Sequence, residues 1–120
     1  MPDFPATSNY LGYMWVDRNV RLDEALRLIT RAVDLEPTNS AYLDSLGWVH
    51  YRLGNLEIAE QWLRRALQLG EPDGTVLAHL GEILVARGAQ DEARLVLRQA
   101  LERLPESPDR VRELLAGLGD

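Results

Sequence analysis

Apolar positions along the chain recur at helical spacing. Leu43, Leu46, Gly47, His50 and Leu53 form one stripe, and Leu56, Ala59, Leu63, Ala66 and Leu67 form the next. Steps of three and four along the chain place each set on one helix face, so two amphipathic helices are predicted here. Gly54-Asn55 separates them. Glycine accepts the left-handed conformation that ends a helix, and asparagine can cap the helix that follows. Acids open the second helices, as Asp23-Glu24, Glu57 and Asp91-Glu92, where they complement the helix dipole. Gly47 breaks the local logic, since a glycine inside a helix costs about 1 kcal/mol against alanine.

The pattern repeats. With Ser45 set on His79, "SLGWVHYRLGNLEIAEQWLRRAL" lies on "HLGEILVARGAQDEARLVLRQAL". Leu43, Leu46, Gly47, Gly54, Ala59, Leu63, Arg64, Ala66 and Leu67 fall on Leu77, Leu80, Gly81, Gly88, Ala93, Leu97, Arg98, Ala100 and Leu101. A less regular first copy is marked by Leu11-Gly12, Ala25 and Ala32. The step from Gly12 to Ala25 is one longer than that from Gly47 to Ala59, which places one extra residue in "DRNVR". Recurrence at Gly12 and Gly81 gives Gly47 its reason. A small residue on each facing stripe, glycine on one helix and Ala59 on the other, lets two backbones cross closely.

Three copies are expected at about 6–37, 40–73 and 74–106 within a single domain, 1–120. Pro37 and Pro105 end second helices two full periods apart, and the middle proline is displaced to Pro72. The segment "SPDRVRELLAGLGD" breaks the period. Ser107 is a candidate cap and Pro108 suits a first helical turn. Val111, Leu114, Leu115 and Leu118 make one apolar stripe, with Arg110, Arg112 and Glu113 facing elsewhere. A capping helix over about 108–118 is expected to cover the last pair, as the end of a stacked array requires. "MPDFPATS" offers no comparable helix, so the first pair is expected to keep an open face.

A helix-turn-helix unit of this period, with leucine-glycine, glycine, alanine, alanine and proline at fixed places, resembles the tetratricopeptide repeat over about 10–105. The resemblance implies an all-α, right-handed α-solenoid of three repeats plus the C-terminal capping helix. Departures are local: the aromatic after leucine-glycine is Trp15 in the first copy but His50 and Leu84 in the others. The "VDRNVRLDEA" turn and the "LDSLGWVHYR" block narrow the resemblance. They are similar to the C-terminal repeats of bacterial outer-membrane tetratricopeptide lipoproteins that act as adaptors of carboxyl-terminal processing proteases. That implies a periplasmic protease or its substrates as partner and a periplasmic, outer-membrane-associated location; without it a cytoplasmic one stands. The lipidated cysteine of such a protein would lie upstream.

Composition bears on partners. At 46% hydrophobic and 27% charged residues the chain is globular. A net charge of −6, with arginines scattered among acids, argues against nucleic acid, whose binding needs clustered cations. No apolar run approaches the roughly 20 residues of a membrane span. "MPDFPATSNY" lacks the basic start and apolar core of a signal peptide. The absence of cysteine rules out a disulfide framework or thiolate zinc site.

No phosphate loop, GxSxG or HExxH is present, so neither an enzyme, a cofactor nor a metal is expected. The two histidines lie in different repeats. His50 takes a core aromatic's place and is expected to be packed and hydrogen-bonded; for His79 an exposed residue and a partner contact both stand. Helical phase turns a set of first-helix residues toward the concave side: Asn9, Tyr10 and Tyr13, then Asp44, Ser45, Trp48, Tyr51 and Arg52, then Thr75, Ala78, His79 and Glu82. Exposed aromatics among polar groups suit recognition, with Trp48 and Tyr13 the best candidates. Tyr10 and Tyr51 alternatively pack between repeats. Relatives that clamp a chaperone's terminal carboxylate do so from places matching Asn9, Tyr13, Ser45, Thr75 and His79. Only the asparagine is kept and the cations are missing, which argues against that ligand.

The expected function is a protein-interaction module, a scaffold or adaptor that binds a peptide or protein in its concave groove. Two alternatives stand: self-assembly into a homo-oligomer through the open first repeat, with Phe4, Tyr10 and Met14 as contacts, and a recruiting or regulatory domain of a larger enzyme.

Overall fold

The computed structural model describes residues 4–71, 73–103 and 105–119. Pro72, the displaced proline, lies outside them, as do the first three residues. Among the described residues seven helices follow one another: α1 (Pro5–Asp17), α2 (Leu22–Leu35), α3 (Ser40–Arg52), α4 (Leu56–Leu69), α5 (Gly74–Arg87), α6 (Gln90–Glu102) and α7 (Pro108–Gly117). They form three helix pairs, α1/α2, α3/α4 and α5/α6, with α7 packed on α5 and α6. Consecutive pairs stack through α2–α3 and α4–α5, and the first helices also touch one another, α1 on α3 and α3 on α5. The result is an all-α solenoid measuring 49 × 27 × 23 Å.

The three glycines make the close crossings. A Cβ on Gly47 would overlap Leu63 Cδ2 and stand 3.0 Å from the Ala59 carbonyl oxygen. On Gly12 it would meet Ile29 Cγ1 at 2.7 Å and the Ala25 carbonyl oxygen at 3.2 Å. On Gly81 it would run into Leu97. Each first helix therefore lies against the backbone or a core leucine or isoleucine of its partner, and Ile29, Leu63 and Leu97 are fully buried as a result. Such contact along the whole pair offsets the lost helix propensity of one glycine.

The turns differ in how they reverse the chain. Gly54 takes φ +89° after α3 and Gly88 φ +84° after α5. The first turn, with its extra residue, has no glycine; Asn19 (φ 56°) and Arg21 (φ 49°) take the left-handed conformation instead. The Arg21 guanidinium then lies 5.4 Å from the centre of the Trp15 ring. Two expected caps are not used. Asn55 and Ser107 sit at the N-cap positions of α4 and α7 without a side-chain bond to the helix. The Asn55 amide pairs with His50 Nδ1 at 3.2 Å instead, which gives the half-buried His50 the expected hydrogen bond. Caps that do form are Asn39, accepting from Tyr42 N–H, and Asp73, accepting from Thr75 and Val76 N–H.

At the C-terminal end Val111 and Leu115 of α7 are buried, with Leu114 and Leu118 half-buried. Arg94 fastens the helix by donating to the Leu118 carbonyl at 2.9 Å. Leu115 follows Gly81 by one repeat period and so takes the place of a crossing glycine. At the other end Phe4 and Tyr10 are 60% and 67% exposed.

Candidate functional site

The first helices line the concave side, where they enclose a cavity of about 310 Å³. Tyr13 and Asp17 come from α1, Trp48 and Arg52 from α3, and Thr75, Ala78, His79 and Glu82 from α5. The α6–α7 linker adds Pro105, Glu106 and Ser107, and α7 adds Arg110, Val111 and Leu114. The positions 13, 17, 48, 52, 75, 79 and 82 fall here because helical phase points them away from the glycine stripe.

Aromatic stacking forms the floor. The Trp48 and His79 ring centroids are 3.9 Å apart with planes 14° from parallel, and Tyr51 stacks on Trp48 at 4.8 Å. Tyr13 approaches His79 at 6.3 Å. The Arg52 guanidinium lies 5.2 Å from the Trp48 centroid and 6.0 Å from that of Tyr51. Trp48 is only 4% exposed. The expectation that it faces solvent is therefore corrected: His79 from the next repeat and Tyr51 from its own helix cover the ring. The Trp48 indole Nε1–H is buried and has no acceptor among the described residues.

Two polar bridges run beneath the floor. His79 Nδ1 pairs with Asp44 Oδ1 at 2.8 Å, with side chains 12% and 10% exposed. His79 is thus not a free surface residue: it is held by Asp44 while lining the cavity. Burial works against a charged ring, yet the Asp44 carboxylate outweighs it, with Glu82 and Glu106 adding to the effect, and the His79 pKa is raised. In the second bridge Glu82 is the hub. It accepts from Tyr51 Oη at 2.9 Å and from Arg110 Nε and Nη2 at 3.1 and 3.2 Å. Burial and the Glu82 charge push the Tyr51 hydroxyl up to about 12. Arg110 lies off the apolar stripe of α7, as expected, and its exposed side chain reaches across to this carboxylate. Tyr51 accordingly joins neighbouring repeats, the alternative left open for it. Tyr13 is raised further still, by burial first and then by Glu106, Asp44 and Asp17.

Of the twelve groove candidates, Tyr13, Trp48, Arg52, Thr75, Ala78, His79 and Glu82 line the cavity, and Ser45 does not. Asp44 and Tyr51 support it from below through His79 and Glu82. Asn9 and Tyr10 are not in its lining, and Tyr10 is exposed on α1. The side chains not foreseen are Asp17, one turn beyond Tyr13, and the group from Pro105 to Leu114. Asp17 was accessible from the phase of α1. The rest reach the groove only because the linker passes over the N-terminal end of α5, where Glu106 N–H donates to Thr75 Oγ1 at 2.9 Å.

Comparison with known proteins agrees with this architecture. The tetratricopeptide repeat profile matches residues 17–74. The TPR repeat-containing protein PA4667 of Pseudomonas aeruginosa is 51% identical over 81 residues, which are 68% of this chain and 14% of that protein. The chain thus spans a small part of the length of that relative. Among solved structures, the Thermobaculum terrenum O-GlcNAc transferase superposes with a TM-score of 0.81 and 27% identity, over 98% of this chain and 23% of that one. The first TPR of Spaghetti (RPAP3), solved bound to the HSP90 peptide SRMEEVD, superposes with a TM-score of 0.79 and 19% identity, over 97% and 96% of the two chains.

Proposed function

The chain is a tetratricopeptide repeat protein, and from that premise we propose that it is an adaptor module whose concave groove receives an extended peptide segment of a protein partner. One observation carries the groove assignment: the concave side holds a cavity of about 310 Å³ walled by Tyr13, Arg52 and His79 of three successive first helices and closed by α7. A cavity of about 310 Å³ holds a few residues of an extended chain rather than a folded domain. Within this reading, the adaptor resemblance names a periplasmic carboxyl-terminal processing protease or its substrates as the partner class.

A photo-crosslinking amino acid at Ala78, in the groove, tests the assignment against one at Gln61, on the exposed side of α4. Adducts with a co-purified partner are expected from position 78 only. Adducts from position 61 alone would move the binding surface off the groove.

Self-association through the first repeat is a second reading, favoured by the exposure of Phe4 and Tyr10 on one end of the array.

A further inference from the structure

One ring makes two contacts on the concave side. His79 pairs through Nδ1 with Asp44 Oδ1 at 2.8 Å, and its face stacks on Trp48 at 3.9 Å. Both contacts tie α5 to α3, and so the third repeat to the second. These first helices touch lightly, since the two repeats are held together mainly by α4 against α5. The α3–α5 seam can therefore part about the α4–α5 contact with the core intact. Around the ring stand Tyr13 and Asp17 of α1, Asp44 and Arg52 of α3, Glu82 on its own helix, Glu106 of the linker and Arg110 of α7. Arg52 lies over Trp48 and Arg110 is bound to Glu82, so His79 is the cation in contact with Asp44.

We propose that the Asp44–His79 pair is a proton-operated latch between the second and third repeats, whatever the groove binds. With the imidazole charged the latch is shut and His79 covers Trp48. When the proton leaves, a neutral ring can still donate from Nδ1, but the Asp44 carboxylate stays buried without the ring's counter-charge. A buried charge that has lost its partner is strongly unfavourable until water reaches it. Water reaches Asp44 when α3 and α5 part at this end, and the same movement lifts His79 off Trp48, because one ring makes both contacts. The second bridge holds meanwhile: the Tyr51 hydroxyl, pushed up to about 12, keeps its proton and stays on Glu82. Burial opposes a charged His79, but Asp44, then Glu82 and Glu106, hold its pKa above the ordinary 6.5. The latch is thus fully shut below about 6.5, the value of a hydrated ring, and its hold is lost as pH rises through the folded value.

The Trp48 indole N–H reads the latch, since it is buried without an acceptor among the described residues and meets water only when the ring is uncovered. Its exchange with water is followed by NMR on the full isotope-labelled chain and divided by the rate of free indole at the same pH. Loss of the signal in Trp48→Phe assigns it. The indole should open far more often than the backbone amide of Leu63 in the α4 core, and its protection should fall by up to about tenfold per pH unit above about 6.5. Asp44→Asn removes the buried charge; it should flatten that fall and lower the His79 midpoint, with circular dichroism checking the fold. Trp48 protection that stays constant while His79 titrates would overturn the latch. So would protection equal to that of Leu63 at every pH, which would mean that only global unfolding exposes the indole. A folded Asp44→Asn protein with the wild-type pH dependence would overturn it as well. If that variant does not fold, the comparison of Trp48 with Leu63 in wild type decides alone.

Discussion

Replacing Gly47 with alanine should destabilise the protein even though alanine is the better helix former. In an exposed helix interior the change would contribute about 1 kcal/mol of stability. At this crossing the new methyl overlaps Leu63 Cδ2 and comes 3.0 Å from the Ala59 carbonyl oxygen. Leu63 is fully buried and cannot swing into solvent, and the Ala59 oxygen belongs to a helix backbone. Relief requires either an unfavourable leucine rotamer or separation of α3 from α4. Overpacking of this kind typically costs about 1–3 kcal/mol. With Leu63 unable to move aside the cost lies in the upper part of that range, about 2–3 kcal/mol; set against a propensity gain of about 1 kcal/mol, the net loss is about 1–2 kcal/mol, or a fall in melting temperature of roughly 4–8 °C. Two controls give the argument its sign. Gly117→Ala, near the end of α7 with nothing within 4 Å of the added carbon, should be neutral or slightly stabilising. Leu63→Ala alone should cost about 2–5 kcal/mol, but adding Gly47→Ala to it should cost little more, because the overlapping methyl is gone. Thermal and urea melts of the four proteins read out the coupling. If Gly47→Ala melts at or above wild type, or if its cost simply adds to that of Leu63→Ala, the close crossing is not there.

Trp48→Ala should cost about 3–5 kcal/mol, since it empties a buried aromatic site between His79 and Tyr51, whereas Trp48→Phe keeps a ring there and should cost less; denaturant melts separate the two. The His79 pKa is raised in the folded state, so the Asp44 pair contributes fully below the unfolded value of about 6.5 and is lost as pH rises through the folded value. The melting temperature should therefore fall as pH increases above about 6.5, and His79→Gln should flatten that dependence. Removing residues 106–120 uncovers the surface beneath Val111 and Leu115 and cuts the Arg110–Glu82 bridge; light scattering should show association, and a monomer of unchanged stability would make α7 a dispensable tail. Tyr10→Glu should lower any self-association seen at about millimolar concentration, and sedimentation that does not change would remove the second functional reading.

Much of the fold was legible because it follows from relations within one helix pair. The repeat period, the stripes around Gly47 and Ala59, the left-handed Gly54 and the apolar face of α7 depend on residues close in sequence, where helical geometry fixes which side chains meet. The groove was legible only in part, for the same reason. Phase shows that Trp48 leaves the glycine stripe, but not that His79 of the next repeat lies flat upon it. Nor does it show that Asp44 meets His79 or that Arg110 turns back to Glu82. Local chemistry also misled where two partners competed: Asn55 stands where a cap belongs, yet its amide pairs with His50. Sequence alone determined the repeated pair and its capped end, since each pair buries its own stripe. Tertiary structure decided what covers the concave side, because that depends on how far one pair rotates against the next, and the rotation is set by packing summed over α2–α3 and α4–α5 rather than by any local pattern.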